Sequence, residues 1–161
     1  MRDKIKTVEE LQSLLAILRA AGKKIVFTNG CFDLIHTGHT RYLAQARTFG
    51  DILVVAVNSD SSVRTIKDTK RPITPQAERT ETLAALEAVD YVVIFGEADP
   101  GRIIAALQPD VLVKGGDWPV EKIIGRDIVE ARGGKVINVP YIEGSSTTGI
   151  IERIVKKYSG Q

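Results

Sequence analysis

The chain has two histidines in 161 residues, and both fall in one stretch, Gly30-Cys31-Phe32-Asp33-Leu34-Ile35-His36-Thr37-Gly38-His39. An apolar run, Lys24-Ile25-Val26-Phe27-Thr28-Asn29, precedes it and reads as a short buried strand, while Thr40 to Arg47 follows with helical spacing. Strand, glycine-bearing turn and helix together form a phosphate-binding layout. The new helix offers unpaired N–H groups and the positive end of its dipole to an anion, and Gly38 lets the backbone approach closely. His36 and His39, three residues apart across the helix start, can both face one bound phosphate. A metal-only site is not expected, because zinc normally takes at least three protein ligands and Cys31 is the single cysteine. No base stands at fixed spacing from Cys31, so a small packing role is expected for it.

Further chemistry-bearing residues occur downstream. Lys67, Lys70, Arg71 and Arg79 supply positive charge, and Lys114 adds another in Lys114-Gly115-Gly116-Asp117. Gly144-Ser145-Ser146-Thr147-Thr148 is a second turn of glycine and hydroxyl residues before a helix, hence a second potential anion site.

The elements that must position these residues alternate in type. Thr7-Val8-Glu9-Glu10 reads as a capping box, and Leu11, Leu14, Leu15 and Leu18 repeat at helical spacing until Gly22, which gives a packing helix over about 7–22. Strands are expected at 24–29, 51–58, 90–95, 110–114 and 135–139. Helices are expected at 40–47, from Thr74-Pro75 through Leu86, from Asp99-Pro100 through Leu107, at 120–131, and from Thr147 to Lys157. Residues 64–74 are charged and without apolar period, so a mobile loop is expected there.

Nearly continuous apolar strands alternating with helices indicate one α/β domain with a doubly wound, Rossmann-like parallel sheet of five strands in the order 3-2-1-4-5. In that order the first and fourth strands are neighbours where strand order reverses. The exits Asn29-Gly30 and Lys114-Gly115-Gly116-Asp117 then line one crevice.

Composition narrows the function classes. With 43% hydrophobic and 26% charged residues the chain is globular, and a net charge of +2 does not by itself imply nucleic acid. A single cysteine excludes an internal disulfide and favours an intracellular protein. No apolar stretch approaches membrane-spanning length, and the N-terminus lacks the apolar core of a signal peptide.

Gly-Cys-Phe-Asp-x-x-His-x-Gly-His at 30–39 resembles the signature of the HIGH-motif, cytidylyltransferase-like nucleotidyltransferases. Arg71-Pro72, Glu78-Arg79, Val89-Asp90-Tyr91-Val92 and Glu143-Gly144-Ser145-Ser146-Thr147-Thr148 look like the middle and closing motifs of the glycerol-3-phosphate cytidylyltransferases. Those enzymes carry an arginine where this chain has Tyr141. Lys114 to Trp118, together with Gly144 to Thr148, is closer to the adenylyltransferase domain of the bacterial ADP-heptose synthases. Many of these carry an upstream sugar-kinase domain, for which this chain has no room, so a stand-alone single domain over 1–161 is expected.

The resemblance implies transfer of AMP from ATP to D-glycero-β-D-manno-heptose 1-phosphate, giving ADP-heptose and pyrophosphate for lipopolysaccharide inner-core synthesis. It implies that His36 and His39 contact the triphosphate, with Lys67 and Arg71 holding pyrophosphate or the incoming phosphate. Asn29, Gly30, Phe32 and Asp33 would shape the nucleotide pocket beside Gly38, and Lys114 and Asp117 would lie near substrate or metal. Gly144, Ser146, Thr147 and Thr148 would bind phosphate, and Mg²⁺ would arrive with the triphosphate. A cytoplasmic homodimer acting on small molecules, with neither nucleic acid nor membrane as partner, is expected. Three alternatives stand beside this reading. They are a cytidylyltransferase for glycerol 3-phosphate or another alditol phosphate, a superfamily member acting on a flavin, pantetheine or nicotinamide nucleotide phosphate, and a nucleotide-binding sensor without turnover.

Overall fold

A computed structural model describes residues 2–116, 119–140 and 146–159. In chain order the elements are α1 (Val8–Ala20), β1 (Ile25–Gly30), α2 (Thr37–Arg47), β2 (Ile52–Asn58), α3 (Asp60–Ile66), α4 (Gln76–Ala84), β3 (Tyr91–Phe95), α5 (Gly101–Leu107), β4 (Val111–Gly115), α6 (Arg126–Glu130), β5 (Lys135–Val139) and α7 (Thr147–Tyr158). The five strands form one parallel sheet in the order β3-β2-β1-β4-β5, as the alternating pattern predicts. Ile25 to Gly30 of β1 run opposite Ile52 to Val57 of β2, and on the other side Val26 and Phe27 face Val111 and Leu112 of β4.

Because strand side chains alternate between faces, the apolar runs feed two cores. Ile25, Phe27, Val54, Ala56 and Leu112 join Leu11 and Leu15 of α1 and Ile103, Ile104 and Leu107 of α5 in one core. Val26, Leu53, Val55, Val57 and Val113 join Leu43 and Ala46 of α2 and Leu83 of α4 in the other. Both faces are therefore covered, which is why the strands carry almost no polar residues until their last positions. Aspartates at strand entries fix register: Asp110 accepts from the Ile25 N–H at 2.7 Å, and Asp90 from the Leu53 N–H at 2.7 Å.

Helix α1 begins with the expected capping box of Thr7 and Glu10. Three other expectations are corrected. The stretch 64–74 is not all loop, because its first residues complete α3. Ser59 caps that helix by accepting from the Ser62 N–H, and only Ser62 and Val63 are buried, too few to print an apolar period on the sequence. The helix expected over 120–131 is broken into a 3₁₀ turn at Val120–Lys122 and the short α6. The break is at Gly125, whose φ is 91° and where a Cβ would come within 2.4 Å of Ile104 Cδ1. The helix after Pro75 stops at Ala84 and takes Pro75 itself as N-cap, with Thr74 outside it. Among the described residues no helix is long and apolar enough to cross a membrane.

Candidate active site

β1 and β4 are adjacent while the chain leaves them in opposite directions across the sheet, so a crevice opens beyond their carboxyl ends. A cavity of about 1040 Å³ occupies it. Most of the described candidates line this cavity: Asn29, Gly30, Phe32 and Asp33 after β1, His36, Gly38 and His39 at α2, Lys67 and Arg71 after α3, Lys114 at the end of β4, and Ser146, Thr147 and Thr148 at α7, whereas Lys70 and Arg79 are not part of its lining. Asp117, Tyr141, Glu143 and Gly144, which the sequence also singles out, lie outside the described residues.

The turn after β1 is tightly built. Phe32 takes a φ of 46° and folds its ring back over Gly30, where a Cβ would meet Phe32 Cε2 at 3.0 Å. The ring also packs against His39, with centroids 5.3 Å apart. His36 is the N-cap residue of α2 in extended conformation, and its imidazole stacks on His39 at a centroid distance of 3.9 Å. Burial lowers the pKa of both imidazoles. For His39 burial and then the neighbouring His36 outweigh a hydrogen bond with the Leu34 backbone and bring the value to about 4. Both Nδ1 atoms are buried with no hydrogen-bond partner among the described residues. Two neutral, dehydrated imidazoles at a helix start form a site whose protonation an incoming polyanion favours.

Asp33 bears on the shape of the pocket through the loop it holds. Only 3% exposed, it does not present its carboxylate to the cavity. One oxygen takes the Arg71 Nε, and the pair accepts from the Ile73 N–H at 2.8 and 3.0 Å and from the Thr74 N–H at 2.8 Å. Burial pushes its pKa up, but the Thr74 and Ile73 N–H groups and then Arg71 outweigh that and hold it below the usual carboxylate range. Asp33 is therefore a clamp that ties the loop carrying Arg71 to the β1 exit.

Arg79 carries more of the site than its charge alone suggests. It is 1% exposed, and its guanidinium donates to the Thr74 carbonyl at 3.0 Å, to the Cys31 carbonyl, to the Asn58 carbonyl at 2.7 Å and to Asp60 Oδ1 at 2.8 Å. It thereby joins the exits of β1 and β2 to α3 and the start of α4. Tyr42, unlike Arg79, is a residue that sequence reasoning did not single out as part of the site. From α2 its hydroxyl reaches Thr28 Oγ1 at 2.6 Å and the Val113 carbonyl at 3.1 Å, spanning β1 and β4 beneath the crevice. Neither role leaves a local pattern, because most of the partners are groups that only the fold brings near.

Cys31 lines the cavity and is only half-buried, in place of the packing role expected for it. Burial raises its thiol pKa, opposed by Lys67, Arg79 and Arg71. Burial also lowers the pKa of the Lys114 ammonium, Cys31 opposing and Lys67 adding to the effect. Opposite the histidines, α7 presents its N-terminus to the cavity, with Ser146 accepting from the Gly149 N–H at 3.0 Å and Thr147 donating to the Leu34 carbonyl at 3.5 Å. Two helix starts, two imidazoles and four cationic side chains, Lys67, Arg71, Lys114 and Lys122, thus converge on one space, an arrangement that binds a chain of phosphates.

Such a crevice on a 3-2-1-4-5 sheet defines a nucleotide-binding α/β protein. Residues 27–153 match the Cytidylyltransferase-like family, and the chain belongs to it. The chain is 52% identical over 155 residues to the Bifunctional protein HldE of Geobacter metallireducens, covering 96% of this chain and 32% of that protein. It is 54% identical over 151 residues to that of Geotalea uraniireducens, covering 94% and 31%. The chain thus spans about a third of the length of these relatives. Among solved structures, the lipopolysaccharide core biosynthesis protein from Thermoplasma volcanium superposes with a TM-score of 0.61 at 28% identity, over 77% of this chain and 100% of that one. The pantoate-beta-alanine ligase from Francisella tularensis, at 15% identity and a TM-score of 0.59 over 98% and 79%, shares the fold. Family and relatives together make the chain a nucleotidyltransferase.

Proposed function

We propose that the chain transfers AMP from ATP to D-glycero-β-D-manno-heptose 1-phosphate, releasing pyrophosphate and ADP-heptose for lipopolysaccharide synthesis. The observation that carries the phosphate chemistry is the convergence of the stacked His36–His39 pair, the α2 and α7 N-termini and Lys67, Arg71 and Lys114 on one cavity. The likeness to the HldE proteins and to the lipopolysaccharide core biosynthesis protein of Thermoplasma volcanium supports the choice of pathway.

A phosphate oxygen of the sugar attacks the α-phosphorus of ATP, the new P–O bond forms, and the bond to the bridging oxygen of the β-phosphate breaks, so pyrophosphate leaves with the bond electrons. The attacking phosphate is already ionised near neutral pH, so positioning and charge stabilisation do the catalysis and no protein nucleophile is needed. His36 and His39 bear on the triphosphate and stabilise the charge that grows on it. Lys67 and Arg71 hold pyrophosphate or the incoming phosphate, with Arg71 aimed by Asp33. Asn29, Gly30 and Phe32 shape the nucleotide pocket with Gly38, Lys114 lies near substrate, and Ser146, Thr147 and Thr148 bind phosphate.

Magnesium would enter as the ion of the triphosphate. Asp33 is the one carboxylate among the described lining residues, and its oxygens are taken by Arg71, Ile73 and Thr74, so these residues fit phosphate better than a protein-built magnesium cage. The test is a matrix of nucleoside triphosphates against sugar and alditol phosphates, read by pyrophosphate release. ATP with the heptose phosphate is expected to turn over best. Turnover of CTP with glycerol 3-phosphate, and none of ATP with the heptose phosphate, would reassign the substrates to the cytidylyltransferase type.

A further inference from the structure

At the opposite end of the sheet, where β1, β4 and β5 begin, a recess of about 410 Å³ is lined by Arg19, Lys23 and Lys24 from the end of α1, Asp110 before β4, and Arg132 and Lys135 around the turn into β5. Five cations face one carboxylate there, while the whole chain carries a net charge of only +2. One oxygen of Asp110 is already occupied by the Ile25 N–H at 2.7 Å. The cations come from two sequence-distant segments, 19–24 and 132–135, so the concentration is a product of the fold and not of a basic run.

Arg19 is not a freely swinging surface arm. Its guanidinium donates to the Leu107 carbonyl and, at 2.8 Å, to the Gln108 carbonyl, which fixes its charge at the recess. Its Nε is buried with no hydrogen-bond partner among the described residues. Burial lowers the Arg19 pKa, with Asp110 opposing and the like charge of Arg132 adding to the effect. Folding therefore gathers five like charges around a recess whose one described lining carboxylate is Asp110, and a multivalent anion would relieve their repulsion.

We propose that this recess is a second anion site, distinct from the catalytic crevice, which takes an oligophosphate: two or more linked phosphate groups, free or as part of a nucleotide. A singly charged carboxylate would answer only one of five cations. The open recess suits an elongated, highly charged group better than an apolar body.

The test is ¹⁵N NMR titration of the full chain with tripolyphosphate and, separately, with ATP, against sodium chloride at matched ionic strength. Saturable shifts are expected at the amides of Gly22, Lys23, Gly133, Gly134 and Lys135, separable by position from shifts at Gly38 and His39. The variant K23A/R132A/K135A should weaken binding at these amides at least tenfold while pyrophosphate release by the crevice stays at the parent rate. Tripolyphosphate should also raise the melting temperature of the parent more than that of the variant. If tripolyphosphate acts and ATP does not, the site takes the free anion; if both act, it accepts nucleotides as well. Shifts confined to the crevice, or shifts at the recess reproduced by sodium chloride, would overturn the proposal.

Discussion

The imidazoles of His36 and His39 lie stacked with centroids 3.9 Å apart, and burial, with this contact adding to it, brings the pKa of His39 to about 4. Free enzyme at neutral pH therefore holds a neutral pair where a triphosphate would lie. If the pair stabilises charge growing on the phosphates, His36→Ala and His39→Ala should each lower kcat by about 100-fold or more, comparable to losing one oxyanion-hole donor. Nucleotide affinity should fall less. Near-normal kcat in a folded double variant would remove the histidines from the mechanism.

The same pair sets a pH dependence. His39 in the unfolded chain titrates near 6.5 and in the folded chain near 4, so between those values the unfolded state binds more protons. Stability is then full above about pH 6.5 and falls as pH drops toward about 4. Melting temperature followed across this window should decline more steeply in the parent than in His39→Gln. Identical pH profiles would show that His39 is not depressed.

Phosphate binding should raise the pKa of both imidazoles, since anions favour the charged ring. ATP binding is therefore expected to take up protons above about pH 4, where the free His39 ring is neutral. Calorimetric titration in buffers of different ionisation enthalpy reads this directly. Proton release, or none, would contradict it.

The Asp33 clamp predicts a loop phenotype. In Asp33→Asn one charge partner of Arg71 is lost and the carboxylate acceptor for the Ile73 and Thr74 N–H groups is weakened. Limited proteolysis between residues 67 and 74 should speed up, and ATP with magnesium should restore part of the protection in the parent and less in the variant. Equal cutting rates in parent and variant would remove the clamp from the description of the site.

Arg79 predicts a fold phenotype. Arg79→Met leaves the Asn58, Cys31 and Thr74 carbonyls and Asp60 without their shared donor, and should cost roughly 3 kcal/mol of stability. Chemical denaturation measures it, and a loss below about 1 kcal/mol would mean that these groups find other partners.

Some of this architecture is printed in the residues and some is not. The strands were legible because burial on both faces leaves apolar runs such as Ile52-Leu53-Val54-Val55-Ala56-Val57. The crevice was legible because strand order places the exits of β1 and β4 side by side. The short helix α3 was not, since a serine cap and two buried residues leave no period. Nor was the break at Gly125, which a close approach to Ile104 imposes from another element. Asp33 is legible as a pocket residue but its partners are not, because Arg71 and the 73–74 backbone come to it only through the fold. The buried hub of Arg79 is of the same kind: a charged helix residue whose four acceptors lie in segments from Cys31 to Thr74.

The most direct measurement of nucleotidyl transfer is ³¹P NMR of the products formed from ATP, magnesium and D-glycero-β-D-manno-heptose 1-phosphate. Attack at the α-phosphorus predicts two new species in equal amounts, free pyrophosphate and a sugar-linked diphosphate bearing adenosine. ADP with either orthophosphate or a doubly phosphorylated heptose would place the attack at the γ-phosphorus and contradict the assignment of the crevice to AMP transfer.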